Sequence, residues 1–345
     1  MRWSHLEAAG SGAPELPLSL PGAVVRTFDT PEFAGITCYE IHAKSIINRV
    51  PGASRAPFEW TVNPYRGCSH ACVYCFARNT HTYLEFDAGH DFDSRIVVKV
   101  NAGELLRREL AAPRWSGAPI AMGTNVDCYQ RAEGRYRLMR EILAALRDAA
   151  NPFSILTKGT LITRDLDLLR QAAEVTTVGL SVSVGFVDEA LWRAVEPGTP
   201  SPRRRLDAVR RLADAGFAVG VLMAPLLPGL TDTAESIDET VSAVAAAGAA
   251  GVTPIVLHLR PGAREWYAAW IARHRPDLLP RYRELYGTGS YAPAAYQQGV
   301  GARVRMAARR HGLVRADAAD RRVEPSRTTV HIEQKADSAT QPTLL

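Results

Sequence analysis

Asn63-Pro-Tyr-Arg-Gly-Cys68-Ser-His-Ala-Cys72-Val-Tyr-Cys75-Phe-Ala-Arg78 packs three of the chain's five cysteines into eight residues, spaced C-x3-C-x2-C. The three lie too close together for a disulfide framework. Clustered cysteines in a reducing compartment read as metal ligands or redox groups. Three thiolates converging from one loop can hold an iron–sulfur cluster by three of its four irons. The fourth iron is then open to a small molecule. Zinc is the alternative: a structural zinc wants four ligands and this spacing offers three, so His70 or His81 would have to complete the set. Cys38 and Cys128 stand alone, and a lone cysteine is usually a small buried hydrophobe.

Just upstream, residues 58–63 read as a short strand ended by Pro64. A strand that feeds a ligand loop is how barrel folds present chemistry. Beyond the loop, the pattern predicts strands near 118, 153, 177, 217 and 252, with an extra piece at 95–100. Helices are expected at 76–83, 102–110, 133–149, 202–215, 232–247, 263–273 and 303–312. Leu138, Met139, Ile142, Leu143 and Leu146 make one apolar stripe in the third of these. Thr163 reads as a helix cap with Asp165 in the first turn, and Asp232 with Glu235 as another cap. Six strands alternating with helices at steps of about thirty residues mark βα units and a parallel sheet. The expected fold is α/β, a partial (β/α)6 TIM-like barrel open on one side.

The chain divides into residues 1–35, an arm rich in Gly, Pro and Ala expected to be poorly ordered; 36–312, the barrel with a C-terminal helical extension; and 313–345, a polar tail expected to be disordered. Hydrophobic residues make up 46% and charged residues 22%, an ordinary soluble composition. No run of eighteen apolar residues occurs, so no transmembrane helix is expected. The N-terminus lacks a signal-peptide pattern, which makes a cytoplasmic location the default. Net charge is +5 and pI about 9.0. Only Lys44, Lys99, Lys158 and Lys335 are lysines among 41 basic residues. The basic balance would suit nucleic acid, yet the basic runs are confined to 203–205 and 303–322.

The cysteine motif, with an aromatic just before its last Cys, resembles that of the radical S-adenosyl-L-methionine (radical SAM) superfamily. The surrounding phrase resembles the spore photoproduct lyase-like branch. So do Met122-Gly-Thr-Asn-Val-Asp127, Thr157-Lys-Gly, Glu196-Pro-Gly-Thr-Pro200 and Leu227-Pro-Gly-Leu-Thr-Asp232, in the family's order over residues 36–312. The resemblance implies a radical SAM enzyme with a [4Fe-4S] cluster on Cys68, Cys72 and Cys75. Its open iron would chelate S-adenosyl-L-methionine, and an electron from a flavodoxin or ferredoxin would release a 5′-deoxyadenosyl radical that takes hydrogen from an unknown substrate. It also implies Tyr74 against the adenine, Thr124 and Asn125 at the amino group of S-adenosyl-L-methionine, and Gly229 beside the adenine. Here Thr124 and Asn125 replace the more common Gly and Glu.

Lys158, just past a strand, is a cation suited to the carboxylate of S-adenosyl-L-methionine. Ser181 and Ser183 share one face of their strand, where a hydroxyl could reach the ribose or carboxylate. In photoproduct lyases a separate cysteine donates hydrogen. Cys128 is the candidate here, set against its reading as a buried hydrophobe. His258 ends the last strand and would face the mouth or be a satisfied core histidine. Two other classes stand beside the enzyme: a nucleic-acid-binding protein with a structural cluster, and a zinc-stabilised interaction domain.

Overall fold

The computed structural model describes residues 22–51 and 56–313. Strand β1 (Val24–Thr27) pairs antiparallel with β2 (Thr37–Ile41). β3 (Ile47–Arg49) pairs antiparallel with β4 (Trp60–Val62), and β5 (Tyr65–Arg66) opens the cysteine loop. Then come α1 (His90–Ser94), β6 (Arg95–Lys99), α2 (Ala102–Leu110) and β7 (Ile120–Met122). Helices α3 (Arg131–Tyr136) and α4 (Leu138–Asp148) lead to β8 (Phe153–Thr157), α5 (Leu166–Val175) and β9 (Val178–Ser183). After α6 (Glu189–Val195) and α7 (Pro202–Asp214) follow β10 (Gly220–Leu226), α8 (Ala234–Ala246) and β11 (Gly251–Val256). The last helices are α9 (Ala263–His274), α10 (Leu279–Tyr286) and α11 (Ala294–Arg310).

The main sheet runs β11-β10-β9-β8-β7-β4-β3. Its six strands from β4 to β11 are parallel and follow one another in chain order. These are the six strands expected from the alternation. The sheet does not close: β11 forms one edge and the antiparallel β3 the other. The extra strand at 95–100 is β6, which joins a second sheet ordered β1-β2-β6-β5. Its pairing with β5, Tyr65 opposite Val98 and Arg66 opposite Val97, fixes the entry to the cysteine loop. Among the described residues no helix is long and apolar enough to cross a membrane.

Several elements depart from their sequence reading. Residues 22–35, expected in a poorly ordered arm, form β1 and a short 3-10 turn at Pro31–Phe33; residues 1–21 and 314–345 lie outside the described residues. The expected helix at 76–83 is a 3-10 turn, Arg78–Leu84. The expected 133–149 helix is two helices broken at Arg137, whose φ of 54° is left-handed. Buried Glu133 sets that break. Its carboxylate accepts from Met139 N (3.2 Å) at the start of α4, from Tyr65 OH (2.5 Å) and from Arg164 Nη2 (2.6 Å). The Leu138, Met139, Ile142, Leu143 and Leu146 stripe is buried as expected.

Thr163, expected to cap a helix, lies inside a 3-10 turn (Thr160–Asp165) and donates to Thr160 O (3.0 Å), and Asp165, expected in the first turn, stands just before α5, buried and paired with Arg140 and Arg164. α6 had no sequence signal strong enough to find it. The cap of α8 is Thr233, which accepts from Ser236 N (3.2 Å), rather than Asp232. Asp232 instead accepts from Gly229 N (2.7 Å), Arg281 Nη2 (2.8 Å) and Tyr296 OH (2.5 Å). It thereby ties the turn after β10 to α10 and α11. The two roles are separable by chemical denaturation. Thr233→Ala should cost about 1 kcal/mol, the usual value of an N-cap. Asp232→Ala removes three hydrogen bonds to a nearly buried carboxylate and should cost more, about 2–3 kcal/mol. Equal losses would mean that Asp232 acts only as a helix start.

Candidate functional site

The cysteine loop leaves the C-terminal end of β4, on the side where parallel strands deliver their loops. Two consecutive tight turns shape it, Ala71 N to Cys68 O and Cys75 N to Cys72 O, both 3.2 Å. Ala71 takes a left-handed φ of 52° between them. Cys68 and Cys72 are buried and Cys75 half-buried. Burial pushes all three thiols up, and at Cys68 the nearby Asp127, Cys75 and Cys72 push further in the same direction. Three neighbouring buried thiols are costly to ionise unless positive charge joins them, and metal binding takes deprotonated ligands. The donor set therefore fits an iron–sulfur centre, a group that takes three thiolates from one loop.

The loop is held from three sides. From the loop after β7, the Gln130 amide forks across the backbone on either side of Cys68. Its Oε1 accepts from Ser69 N and its Nε2 donates to Gly67 O, both 2.9 Å, with no exposure to solvent. Asp127 in the same loop accepts from Thr157 Oγ1 (2.6 Å), Lys158 N (2.7 Å) and Tyr129 N (2.8 Å), and His70 Nδ1 lies 3.4 Å from its carboxylate. From the segment after α6, Gly198 N donates to His70 O (3.0 Å). A Cβ at Gly198 would sit 2.0 Å from Ser69 O, so only glycine lets this segment dock. On the third side, fully buried Arg78 donates to Cys72 O (3.0 Å) and to both oxygens of Asp93 (2.9 Å each). Burial raises Asp93 to about 6, against the pull of Arg78.

At the strand ends a second group assembles. Lys158 Nζ donates to Ser183 Oγ (2.7 Å) and lies 6.0 Å from the centre of the Tyr74 ring. Tyr74 OH donates to Glu196 Oε1. Glu196 is fully buried and paired with fully buried Arg205 at 2.5 Å, and Arg205 also donates to Ser183 O (2.9 Å). Burial alone would raise the Glu196 carboxyl. Arg205 and Lys158 outweigh it and hold the group below its ordinary range. Burial also drives His70 towards its neutral form, with Asp127 opposing.

The structure thus gathers Cys68, Cys72, Cys75, Tyr74, Lys158 and Ser183 at one end of the sheet. The Thr124 and Asn125 side chains, half-buried in the turn after β7, make no hydrogen bond among the described residues. Gly123 before them has φ +74°, and a Cβ there would meet Leu156 O at 1.8 Å. Gly229 also has positive φ, but the close approach it permits is to the Leu278 side chain, 2.7 Å from where a Cβ would stand. Cys128 is buried, and burial holds its thiol well above the ordinary range, with Asp127 and Glu133 adding to it. His258 is half-buried between Phe76 (ring centres 5.3 Å apart) and Tyr291 (5.5 Å).

His81 keeps one ring nitrogen, the buried Nδ1, without a hydrogen-bond partner among the described residues. Its Nε2 is 2.9 Å from Arg95 O, and its ring packs on Phe86 and Phe92. Among the described residues no three His, Cys, Asp or Glu side chains are placed to hold one metal ion. Asp127, Gln130, Arg78, Glu196 and Arg205 carry the site's scaffold, and the sequence assigned none of them a role. Arg205 sits in a run of three arginines that resembled a surface patch. The signals were a Glu in the Glu196–Pro200 phrase and a polar loop after β7.

A family model described as the radical SAM superfamily matches residues 62–252. An uncharacterized protein of Mycobacterium tuberculosis is 47% identical over 332 residues, covering 95% of this chain and 96% of its own. One from Methanocaldococcus jannaschii is 31% identical over 207 residues, covering 59% and 73%. Among solved structures, spore photoproduct lyase complexed with dinucleoside spore photoproduct superposes with a TM-score of 0.60 at 16% identity, covering 79% of each chain. That similarity is one of fold.

Gln130→Ala should leave the fold intact by circular dichroism while loosening the loop at Cys68. Iron loaded into the variant anaerobically should be lost to a chelator about ten times faster than from the unaltered protein, the effect expected when an outer-shell partner of a metal ligand is removed. An unchanged loss rate would mean that the fork does not hold the loop.

Proposed function

Because the chain belongs to the radical SAM superfamily, we propose that Cys68, Cys72 and Cys75 bind one [4Fe-4S] cluster and that this radical SAM enzyme cleaves S-adenosyl-L-methionine reductively for hydrogen abstraction from a substrate. The observation that carries the reading is the convergence of three clustered thiols, two of them buried, with Lys158 and Ser183 at the C-terminal end of one parallel sheet. When bound, the cluster and S-adenosyl-L-methionine supply the one-electron chemistry, while the protein supplies orientation and electrostatics.

The chain's own residues have distinct tasks. Lys158 presents a cation, steadied by Ser183, to the ligand's carboxylate. Thr124 and Asn125, whose side chains have no hydrogen-bond partner among the described residues, meet its amino group. Tyr74 is fixed by Glu196 and offers its ring to the adenine. Gly229 acts by setting the turn that Asp232 holds. Cys128, buried behind Gly123 with a protonated thiol, serves packing better than hydrogen donation to an external substrate. Burial of the loop keeps water from a reactive intermediate. The electron comes from a small flavodoxin or ferredoxin, and residues 36–312 with the added strand β1 form the catalytic body.

Anaerobically reconstituted protein given dithionite and S-adenosyl-L-methionine should form 5′-deoxyadenosine. Cys72→Ala should lose both the brown colour and the product. Lys158→Ala should keep the colour and raise KM for S-adenosyl-L-methionine about ten- to hundred-fold, the value of one hydrogen bond to a charged group. An intact cluster that yields no 5′-deoxyadenosine would overturn the reading.

A further inference from the structure

The opposite end of the sheet carries a second feature. Trp60 begins β4 and is paired with Ile120 at the start of β7, so it lies at the end of β4 away from the cysteine loop. A groove of about 730 Å³ opens there, lined by Lys44, Arg49, Trp60, Arg108, Arg114 and Trp115 among others. Its one acidic lining residue, Glu109, has both oxygens occupied, accepting from Ile46 N (2.9 Å) and Ile47 N (2.8 Å). Four cations therefore face one carboxylate that is already satisfied. Arg49 is paired with Glu59 at 2.8 Å. Lys44, Arg108 and Arg114 are exposed and make no ion pair or hydrogen bond among the described residues. The floor is aromatic: Trp60 and Trp115 are half-buried and meet edge to face, ring centres 5.2 Å apart, and the Trp115 indole N–H is fixed on Asn151 Oδ1 (2.8 Å).

We propose that this groove binds nucleotide chemistry, phosphate together with a planar base, at a site separate from the radical centre. Uncompensated cations in a concave wall attract anions. Both indoles pack on the core and the Arg49 guanidinium lies 5.8 Å from the centre of the Trp60 ring; a bare phosphate or an acidic protein surface would use the cations alone. A nucleotide uses both, since phosphates pair with Lys and Arg while bases stack on aromatic side chains, the combination found in grooves that track single strands. A single-stranded polynucleotide and a free nucleoside phosphate share this chemistry. The net charge of +5 favours approach of either.

The test is fluorescence anisotropy of the full-length protein with fluorescein-labelled oligothymidylates of increasing length across a salt series, with ATP as competitor. Three phosphate contacts on a single strand predict a slope of log K against log salt of about −2. Arg108→Glu combined with Arg114→Glu should weaken binding more than tenfold at low salt and reduce the slope by about 1.4. Both residues are exposed and remote from the cysteine loop, so 5′-deoxyadenosine formation without substrate should not change, which reports an intact fold. Affinity that grows with oligomer length identifies a polynucleotide; affinity independent of length and fully competed by ATP identifies a nucleoside phosphate. No binding by the unaltered protein, or equal affinity and slope in the double variant, would overturn the proposal whatever the outcome for S-adenosyl-L-methionine cleavage.

Discussion

The carboxylate of Asp127 is where three segments of the site meet. It accepts from Tyr129 N in its own loop, from Thr157 Oγ1 and Lys158 N at the end of β8, and faces His70 between two cysteines of the metal loop. A nearly buried carboxylate is costly unless its oxygens are satisfied. Here the satisfying groups come from separate strand ends, so the requirement fixes those ends relative to one another. Gln130 three residues on extends the same logic to the backbone around Cys68. The position of Lys158 is thus coupled to that of the thiols through one side chain.

Buried cations complete the cradle. Arg78 and Arg205 are both fully buried, yet each is committed to a carboxylate and to backbone carbonyls. Removing one partner from such a pair strands the other charge and costs about 3–5 kcal/mol. The pairs are therefore better understood as devices of placement than of net stability. Arg78 anchors the peptide of Cys72, and Arg205 fixes the Glu196 that orients Tyr74. Both also bring positive charge near thiols that burial pushes up: Arg78 opposes that push at Cys75, and Lys158 with Arg205 opposes it at Cys72.

The sheet was legible in the sequence because each parallel strand is a short apolar run followed by a Gly- or Pro-bearing loop, and strands alternate with helices along the chain. The cysteine loop stood out in the sequence because cysteine crowding has few explanations. What escaped was long-range. Glu133 breaks a helix by reaching Met139, Tyr65 and Arg164, and no local propensity at 133–149 encodes that contact. Asp165 and Asp232 each sit where a capping residue belongs and instead join other elements. Asp, like Asn, Ser and Thr, can satisfy a local backbone donor or a distant cation, and only the fold decides which. The same ambiguity hid Arg205 inside a run of arginines.

The two ends of the sheet differ in what happens to charge. At the C-terminal end, Arg78, Glu196 and Arg205 are fully buried and each is paired, and burial strengthens such electrostatic contacts. That suits chemistry in which a reactive species must be kept from solvent. At the N-terminal end, Lys44, Arg108 and Arg114 stay exposed and unpaired among the described residues beside two indoles. Exposed cations contribute little to folding, so their clustering there is not a consequence of building the sheet. A parallel sheet separates such surfaces by the length of its strands. The proposed nucleotide groove and the cysteine loop thus lie at opposite ends of the sheet, and a ligand at one end leaves the other open.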